Sequence, residues 1–95
     1  MSKEEIKTIL IEELSTAQSE AGEDQTPITE DTVPIGDLQG FDSLTSVAVT
    51  CQCLDRFGLD KHTEITSIFI GKDNSGNSCA LNVAQVANNI VELLA

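Results

Sequence analysis

The chain is short of basic residues and has no long apolar run. Its 95 residues contain five Lys and Arg against sixteen Asp and Glu, a formal net charge of −11. Such an anionic surface repels nucleic acid backbones and anionic membranes, so we expect basic partners and no nucleic acid. No apolar run approaches the roughly 18 to 20 residues of a transmembrane helix, and charges interrupt the N-terminal stretch where a signal peptide would be apolar. We therefore expect a cytoplasmic protein that does not insert into a membrane.

Cysteine and histidine are too few and too scattered to indicate a metal centre. His62 is the one histidine, and Cys51, Cys53 and Cys79 include no CxxC pair. Cys51 and Cys53 lie two apart in a stretch with helical periodicity, so their side chains point in different directions and no disulfide is expected between them. We expect buried, unreactive thiols and no bound metal.

Apolar periodicity predicts three main helices. The first covers residues 4 to 17, and Ser2 and Glu5 have the spacing of a capping box at its start. The second begins after a probable N-cap at Asp42 and ends before Gly58. Its apolar face is predicted to carry Leu44, Val47, Ala48, Cys51, Leu54 and Phe57. The last helix covers residues 83 to 94.

The connections between these helices differ in length and composition. Residues 19 to 40 are rich in Gly, Pro and polar residues and predict a long loop, pinned to the core by Ile28, Val33, Ile35, Leu38 and Phe41. Residues 63 to 70 suit either a strand or a short helix, of which we favour the helix. Residues 71 to 78 predict a solvated loop that does not fit a calcium loop. The expected fold is all-α: one domain, 1–95, built as a small four-helix bundle with three main helices, one short helix and a long loop between the first two.

The segment GFDSL, residues 40 to 44, opens the second helix. The free N–H groups and the dipole at a helix start favour an anion such as a phosphodiester at Ser43, although capping alone would also account for Asp42 and Ser43. The chain size, the acidic total, the order of elements and the late VAQVANNI segment, residues 83 to 90, accompany this motif. In these features the chain resembles the acyl carrier proteins, and Asp42, Ser43 and Leu44 match the DSL motif of that family residue by residue.

The resemblance implies a function without catalysis. A separate phosphopantetheinyl transferase would attach 4′-phosphopantetheine to Ser43, and the terminal thiol of this arm would hold acyl groups as thioesters. The chain would be a monomeric carrier, not an enzyme, and would deliver cargo to acyl-transferring or acyl-modifying enzymes with basic docking surfaces. Leu44 would be a partner contact or an ordinary core residue; the sequence leaves both open.

The sequence also departs from carriers of general fatty acid synthesis, which usually have an acidic second helix. Between Ser43 and Phe57 the only charges are Asp55 and Arg56, whereas nine of the sixteen acids lie within residues 1 to 31. We therefore expect a specialised carrier in a lipid or secondary-metabolite pathway, whose partners read a neutral helix and the acidic loop before it.

Three alternatives stay open to different degrees. An anionic interaction module without a prosthetic group would leave Ser43 as a capping residue, and a peptidyl or aminoacyl carrier commonly has a second Gly where this chain has Phe41. A hydrolase is disfavoured because GFDSL lacks the GxSxG elbow. Whether cargo could enter the core is also open, since close packing is the ordinary role of the apolar candidates, which are Val47, Cys51, Phe57, Ile65, Ile68, Phe69 and Val86.

Overall fold

A computed structural model of the chain describes residues 2–20, 22, 27–38, 40–59, 65 and 67–94. In chain order the elements are α1 (Lys3–Glu20), α2 (Pro34–Asp37), α3 (Ser43–Arg56), β1 (Ile70–Lys72), β2 (Ser78–Ala80) and α4 (Val83–Leu94). The described part is mostly helical, which agrees with a small helical bundle. The term all-α is nevertheless imprecise, because β1 and β2 pair as an antiparallel hairpin.

Helix α1 is the element on which the other main helices pack. Ile6, Leu10 and Leu14 are fully buried along one stripe, and α1 contacts both α3 and α4. The predicted capping box is confirmed, because the Glu5 N–H donates to Ser2 Oγ at 3.2 Å and the Ser2 N–H donates to Glu5 Oε1 at 3.3 Å. Local sequence therefore specifies both the start of α1 and the face that it buries.

Helix α4 receives part of its N-terminal capping from the long loop. The N–H groups of Val83 and Ala84 donate to the carbonyl groups of Thr32 and Glu30, at 3.0 and 2.9 Å. These bonds satisfy donors that a helix start otherwise leaves unpaired. The predicted stripe of α4 is confirmed over Val83, Val86, Ala87 and Ile90, which are buried, while Leu93 and Leu94 at its end are exposed.

The long loop is anchored at several points, as predicted. Leu38 and Phe41 are buried, and Ile28 and Ile35 pack against the core from half-buried positions. The loop also contains α2, a four-residue helical segment in which Ile35 and Gly36 have non-helical dihedral angles. Lys7 of α1 also forms an ion pair with the loop, with its Nζ 2.7 Å from Glu30 Oε2.

Helix α3 has the predicted ends but buries a different face. The Asp42 cap is confirmed, and Gly58 ends the helix at φ +74°, with the Leu59 N–H donating to the Leu54 carbonyl at 2.8 Å. Of the predicted apolar face, however, Leu44, Ala48 and Cys51 are exposed. The buried side chains of α3 are Ser46, Val49, Thr50, Cys53 and Leu54.

Two hydroxyl groups explain this rotation of α3. The Thr50 Oγ1 accepts the N–H of Ile68 at 3.0 Å, and the Ser46 and Ser67 hydroxyl groups lie 2.9 Å apart. Because both polar residues find partners inside the fold, they can be buried without a large desolvation cost. The segment that supplies these partners therefore decides which face of α3 turns inward.

The predicted short helix over residues 63 to 70 is wrong where the structure describes it. Ile65 and Ser67 are irregular, Ile68 and Phe69 form a turn, and Ile70 begins β1; residues 63, 64 and 66 lie outside the described residues. The following loop is confirmed only over residues 73 to 77, since its ends belong to the strands. The described β-branched residues of this stretch, Ile65, Ile68 and Ile70, belong to a hairpin arm and its approach.

The expectation of three buried thiols holds for one cysteine. Cys53 is fully buried, and burial raises its pKa to about 12. Cys79 is half-buried and Cys51 is exposed; all three thiols are free. Among the described helices, none is long and apolar enough to cross a bilayer.

The Thr50 hydrogen bond predicts a stability difference. Thr50→Val keeps the shape of the side chain but leaves the buried Ile68 N–H without its acceptor, so the free energy of unfolding should fall by about 1 to 3 kcal/mol. Urea unfolding followed by circular dichroism measures this change. Thr16→Val, at an exposed position of α1, is the control and should change the free energy by less than about 0.5 kcal/mol. Equal values for the two variants would contradict the role given to Thr50.

Candidate functional site

Ser43 occupies the first position of α3 and is exposed. Its hydroxyl group makes no hydrogen bond to any residue that the structure describes, in contrast to the hydroxyl groups of Ser2, Ser46 and Ser67. The capping role at this helix start belongs to Asp42. The Ser43 hydroxyl is thus accessible at the positive end of a helix, where a phosphate group would be favoured.

Asp42 fixes the start of α3. Its Oδ1 accepts the N–H of Thr45 at 2.8 Å, and its carbonyl oxygen accepts the N–H of Ser46 at 3.0 Å. The bond from the Thr45 N–H, assisted by the Thr45 side chain, lowers the pKa of the Asp42 carboxyl below its ordinary value of 3.8. A charged acceptor therefore holds the first turn in place at neutral pH.

A chain of hydrogen bonds connects Ser43 to the base of the hairpin. The Ser46 hydroxyl donates to the Ser43 carbonyl at 2.7 Å, and the Phe69 N–H donates to Ser67 Oγ at 3.2 Å. Since the one hydroxyl proton of Ser46 is already engaged, Ser67 is the donor in the 2.9 Å bond between these two serines. The donors then run in one direction from Phe69 through Ser67 and Ser46 to Ser43, an arrangement in which neighbouring bonds strengthen each other.

An aromatic contact holds the same two parts of the chain together. The rings of Phe41 and Phe69 meet edge to face, with centroids 5.5 Å apart and an interplanar angle of 86°. Phe69 is fully buried, and Phe41 is 4% exposed although it lies two residues before Ser43. This contact and the hydrogen-bond chain fix the hairpin beside the start of α3.

Leu44, the third residue of the motif, is 78% exposed. Its alternative role as a core residue is therefore wrong. The exposed side of α3 also carries Ala48, Cys51 and Gln52, so the expected neutral surface is present next to Ser43. Arg56 at the end of α3 is engaged by Glu12 and Glu13 of α1, at 3.2 and 3.0 Å.

Ser43 lies where two surface grooves meet, and both use the hairpin as a wall. The first, which we call the hairpin groove, has a volume of about 420 Å³ and is lined by Ile35, Phe41, Asp42, Ser43, Ile70, Ser78, Cys79 and Ala80. The second, which we call the helix groove, has a volume of about 570 Å³ and is lined by Ser43, Val47, Ile65, Ser67, Ile70, Lys72 and Ser78. Ile70 and Ser78 separate the two grooves.

The hairpin residues of this site were not predicted from the sequence. Lys72, Cys79 and Ile70 lie beside Ser43 only because the hairpin folds back on α3. A usable signal was present: the run DNSGN between two short segments is typical of a hairpin connection. Of the apolar candidates for a cargo space, for which core packing was the ordinary expectation, Phe57, Ile68, Phe69 and Val86 are core. Val47 and Ile65 line the helix groove, and Cys51 lies on the exposed face of α3.

The described residues do not form a metal site. Within them, no cluster of three or more His, Cys, Asp or Glu side chains could hold a metal ion. In the hairpin connection, Asp73 Oδ1 accepts the N–H groups of Ser75 and Asn77 at 2.9 and 3.0 Å, so this carboxylate shapes the turn. His62 lies outside the described residues.

The Asp42 cap predicts a pH-dependent contribution to stability. The pKa is lower in the folded state, so the ionised carboxyl stabilises the fold above pH 3.8, and this contribution disappears as the pH falls below that value. The melting temperature should therefore exceed that of Asp42→Asn near neutral pH, and the gap should close as the pH falls below 3.8. Thermal unfolding over this pH range tests it, with Gln52→Asn, at an exposed and uncharged position of α3, as a control whose difference should not change with pH. A constant gap for Asp42→Asn would contradict the prediction.

No protein-family profile matches this chain, and neither a curated protein nor a solved structure is similar enough to count as a match.

Proposed function

We propose that this chain is an acyl carrier protein whose Ser43 carries 4′-phosphopantetheine. The observation that carries the proposal is an exposed serine hydroxyl without a hydrogen-bond partner in the described structure, at the first position of a capped helix and at the meeting point of two grooves. The sequence GFDSL accompanies this geometry.

The surroundings of Ser43 fit a phosphodiester. The hydroxyl projects from the first turn of α3, where backbone N–H groups favour an anion, and the cap at Asp42 makes the helix start independent of Ser43 itself. Modification of the hydroxyl therefore need not disturb the fold. The hydrogen bond from Ser46 to the Ser43 carbonyl holds the backbone while the side chain stays exposed.

The attachment reaction uses Ser43 as the nucleophile. The Ser43 oxygen attacks the phosphorus of coenzyme A that bears the pantetheine, its proton passes to a base of the transferase, and the adenosine bisphosphate portion leaves. The bond formed is a phosphodiester between Ser43 and the arm. When bound, the arm supplies a terminal thiol that holds acyl groups as thioesters, so Cys51, Cys53 and Cys79 are not acylation sites.

Partner recognition uses two different surfaces in this proposal. The exposed face of α3 around Leu44 is neutral and supplies an apolar contact, whereas the acids of the loop before it attract basic enzymes over a longer range. This combination suits a specialised lipid or secondary-metabolite pathway. The three free thiols fit a reducing compartment such as the cytoplasm.

Loading of Ser43 tests the main proposal. The purified chain, incubated with coenzyme A, magnesium and a broad-specificity phosphopantetheinyl transferase, should gain the mass of one phosphopantetheine group in intact mass spectrometry. Ser43→Ala should gain nothing, and Ser78→Ala, which removes an exposed hydroxyl lining the same grooves, should still be loaded. Absence of a mass gain while a known carrier is modified would leave the interaction module as the better reading.

The acidic loop predicts a salt-dependent effect on docking. Asp37 accepts the N–H of Val33 at 2.8 Å and Asp42 caps α3, but the Asp31 carboxylate has no hydrogen-bond partner among the described residues. Asp31→Asn can therefore probe docking without removing a structural bond. At low salt the Kd for the transferase should rise about two- to threefold, and the effect should shrink at high salt.

A matched charge removal serves as the control for Asp31. Glu92→Gln removes one exposed carboxylate from α4, away from the loop in sequence, and should leave the Kd within the error of the unmodified protein. Equal effects of the two variants at both salt concentrations would mean that only the total charge matters.

A further inference from the structure

The hairpin groove differs from the helix groove in its chemistry. Its lining includes the apolar residues Ile35, Phe41, Ile70, Cys79 and Ala80. Ile35, Ile70 and Cys79 are half-buried, so each still exposes apolar surface to the groove region. The volume of about 420 Å³ lies within the range of sites that bind small molecules.

Charge distinguishes the grooves more sharply than size. Among its described lining residues, the hairpin groove contains a single charged group, the Asp42 carboxylate, which is engaged by the Thr45 N–H. The helix groove contains the ammonium group of Lys72, which makes no ion pair with a described residue. Away from Asp42 and Ser43, the lining of the hairpin groove carries no charge, so that part of the groove favours an uncharged apolar group over an anionic one.

We propose that the hairpin groove shelters an uncharged, aliphatic acyl group carried by the arm on Ser43. This inference rests on the proposed function, which supplies the tether. Ser43 lines both grooves, so an arm on it is next to either one, and the uncharged apolar lining favours the hairpin groove for this occupant. Tethering raises the local concentration of the cargo to about the millimolar range, so weak apolar contacts suffice to hold it.

The cargo would then lie outside the helical core. The core side chains Phe57, Val86 and Phe69 are each at most 5% exposed, and Phe69 also packs against Phe41. Shelter in the hairpin groove requires no separation of α1, α3 and α4. The hairpin therefore contributes to selectivity: it supplies apolar residues to the hairpin groove and the cation of Lys72 to the helix groove.

Two cysteines provide a probe within the same chain. Cys79 lines the hairpin groove and Cys51 is exposed on α3, outside both grooves. The transferase can load Ser43 from coenzyme A, octanoyl-coenzyme A or succinyl-coenzyme A, giving the bare arm, an uncharged aliphatic cargo and an anionic cargo. The rate of iodoacetamide alkylation at each cysteine is then followed by peptide mass spectrometry, after intact mass has confirmed the loading.

The octanoyl form should react at Cys79 at least about fivefold more slowly than the form with the bare arm, as expected for a tethered group that occupies the groove most of the time. Cys51 should react equally in all forms, and the succinyl form should give little protection of Cys79. Unchanged alkylation of Cys79 in a fully loaded octanoyl form would overturn the groove assignment. Equal protection by succinyl would overturn its selectivity for uncharged cargo.

A pair of hairpin variants tests the groove wall itself. Ala80→Asp places a carboxylate at an exposed position of the hairpin groove and should abolish the octanoyl protection. Asn74→Asp adds the same charge in the exposed turn of the hairpin, outside both grooves, and should retain it. Protection that survives Ala80→Asp would contradict the assignment. Failure of all three donors to load Ser43 would instead remove the proposed function and, with it, this inference.

Discussion

The docking of residues 67 to 69 onto α3 is the constraint on which the site depends. The Ser46 and Ser67 hydroxyl groups lie 2.9 Å apart, the Ile68 N–H donates to Thr50 at 3.0 Å, and Phe69 packs edge to face on Phe41. These contacts are short in space but join residues about twenty or more positions apart in sequence, so they close a loop whose entropy cost must be offset by burial. Once these contacts form, they fix where the hairpin that follows Phe69 lies relative to Ser43. Both grooves beside that serine are consequences of this position.

The same contacts explain the unusual distribution of side chains on α3. A helix that buries Ser46 and Thr50 must satisfy their hydroxyl groups, and here the partners come from the approach to β1 and from the helix itself. The opposite side then carries Leu44, Ala48 and Cys51 towards solvent. An exposed leucine costs little in stability but offers an apolar contact beside the proposed attachment point. Internal hydrogen bonding and a neutral exposed face are therefore two results of one helix rotation.

The parts of the fold that local physics determines could be predicted from the sequence, and the parts that need distant partners could not. The Ser2 and Glu5 capping box, the Asp42 cap, the ending at Gly58 and the stripe of α4 each depend on residues within one or two turns. The buried face of α3 was predicted wrongly because Ser46 and Thr50 are less hydrophobic than Leu44 and Cys51. Their burial becomes favourable only through hydrogen bonds to Ser67 and Ile68, which are distant in sequence. For the site, Ser43 was reachable from the GFDSL motif, whereas Lys72 and Cys79 were not, since a hairpin brings them there.

The placement of the few cations completes the electrostatic picture of the site. Lys7 is engaged by Glu4 and Glu30, and Arg56 by Glu12 and Glu13, so these bases join elements of the fold. Solvent screens such ion pairs, so they add little to stability, and their larger effect is to neutralise charge locally. Pairing of Arg56 keeps the end of α3 from presenting a free cation, and Lys72 is left beside Ser43 without an ion-pair partner in the described structure. In the proposed carrier, the net charge of −11 would act at long range on a basic partner, while the contact surface would select by apolar shape. Attraction and selectivity would then be separated in space, because charge would draw a partner to the chain and α3 and the hairpin would accept or reject it.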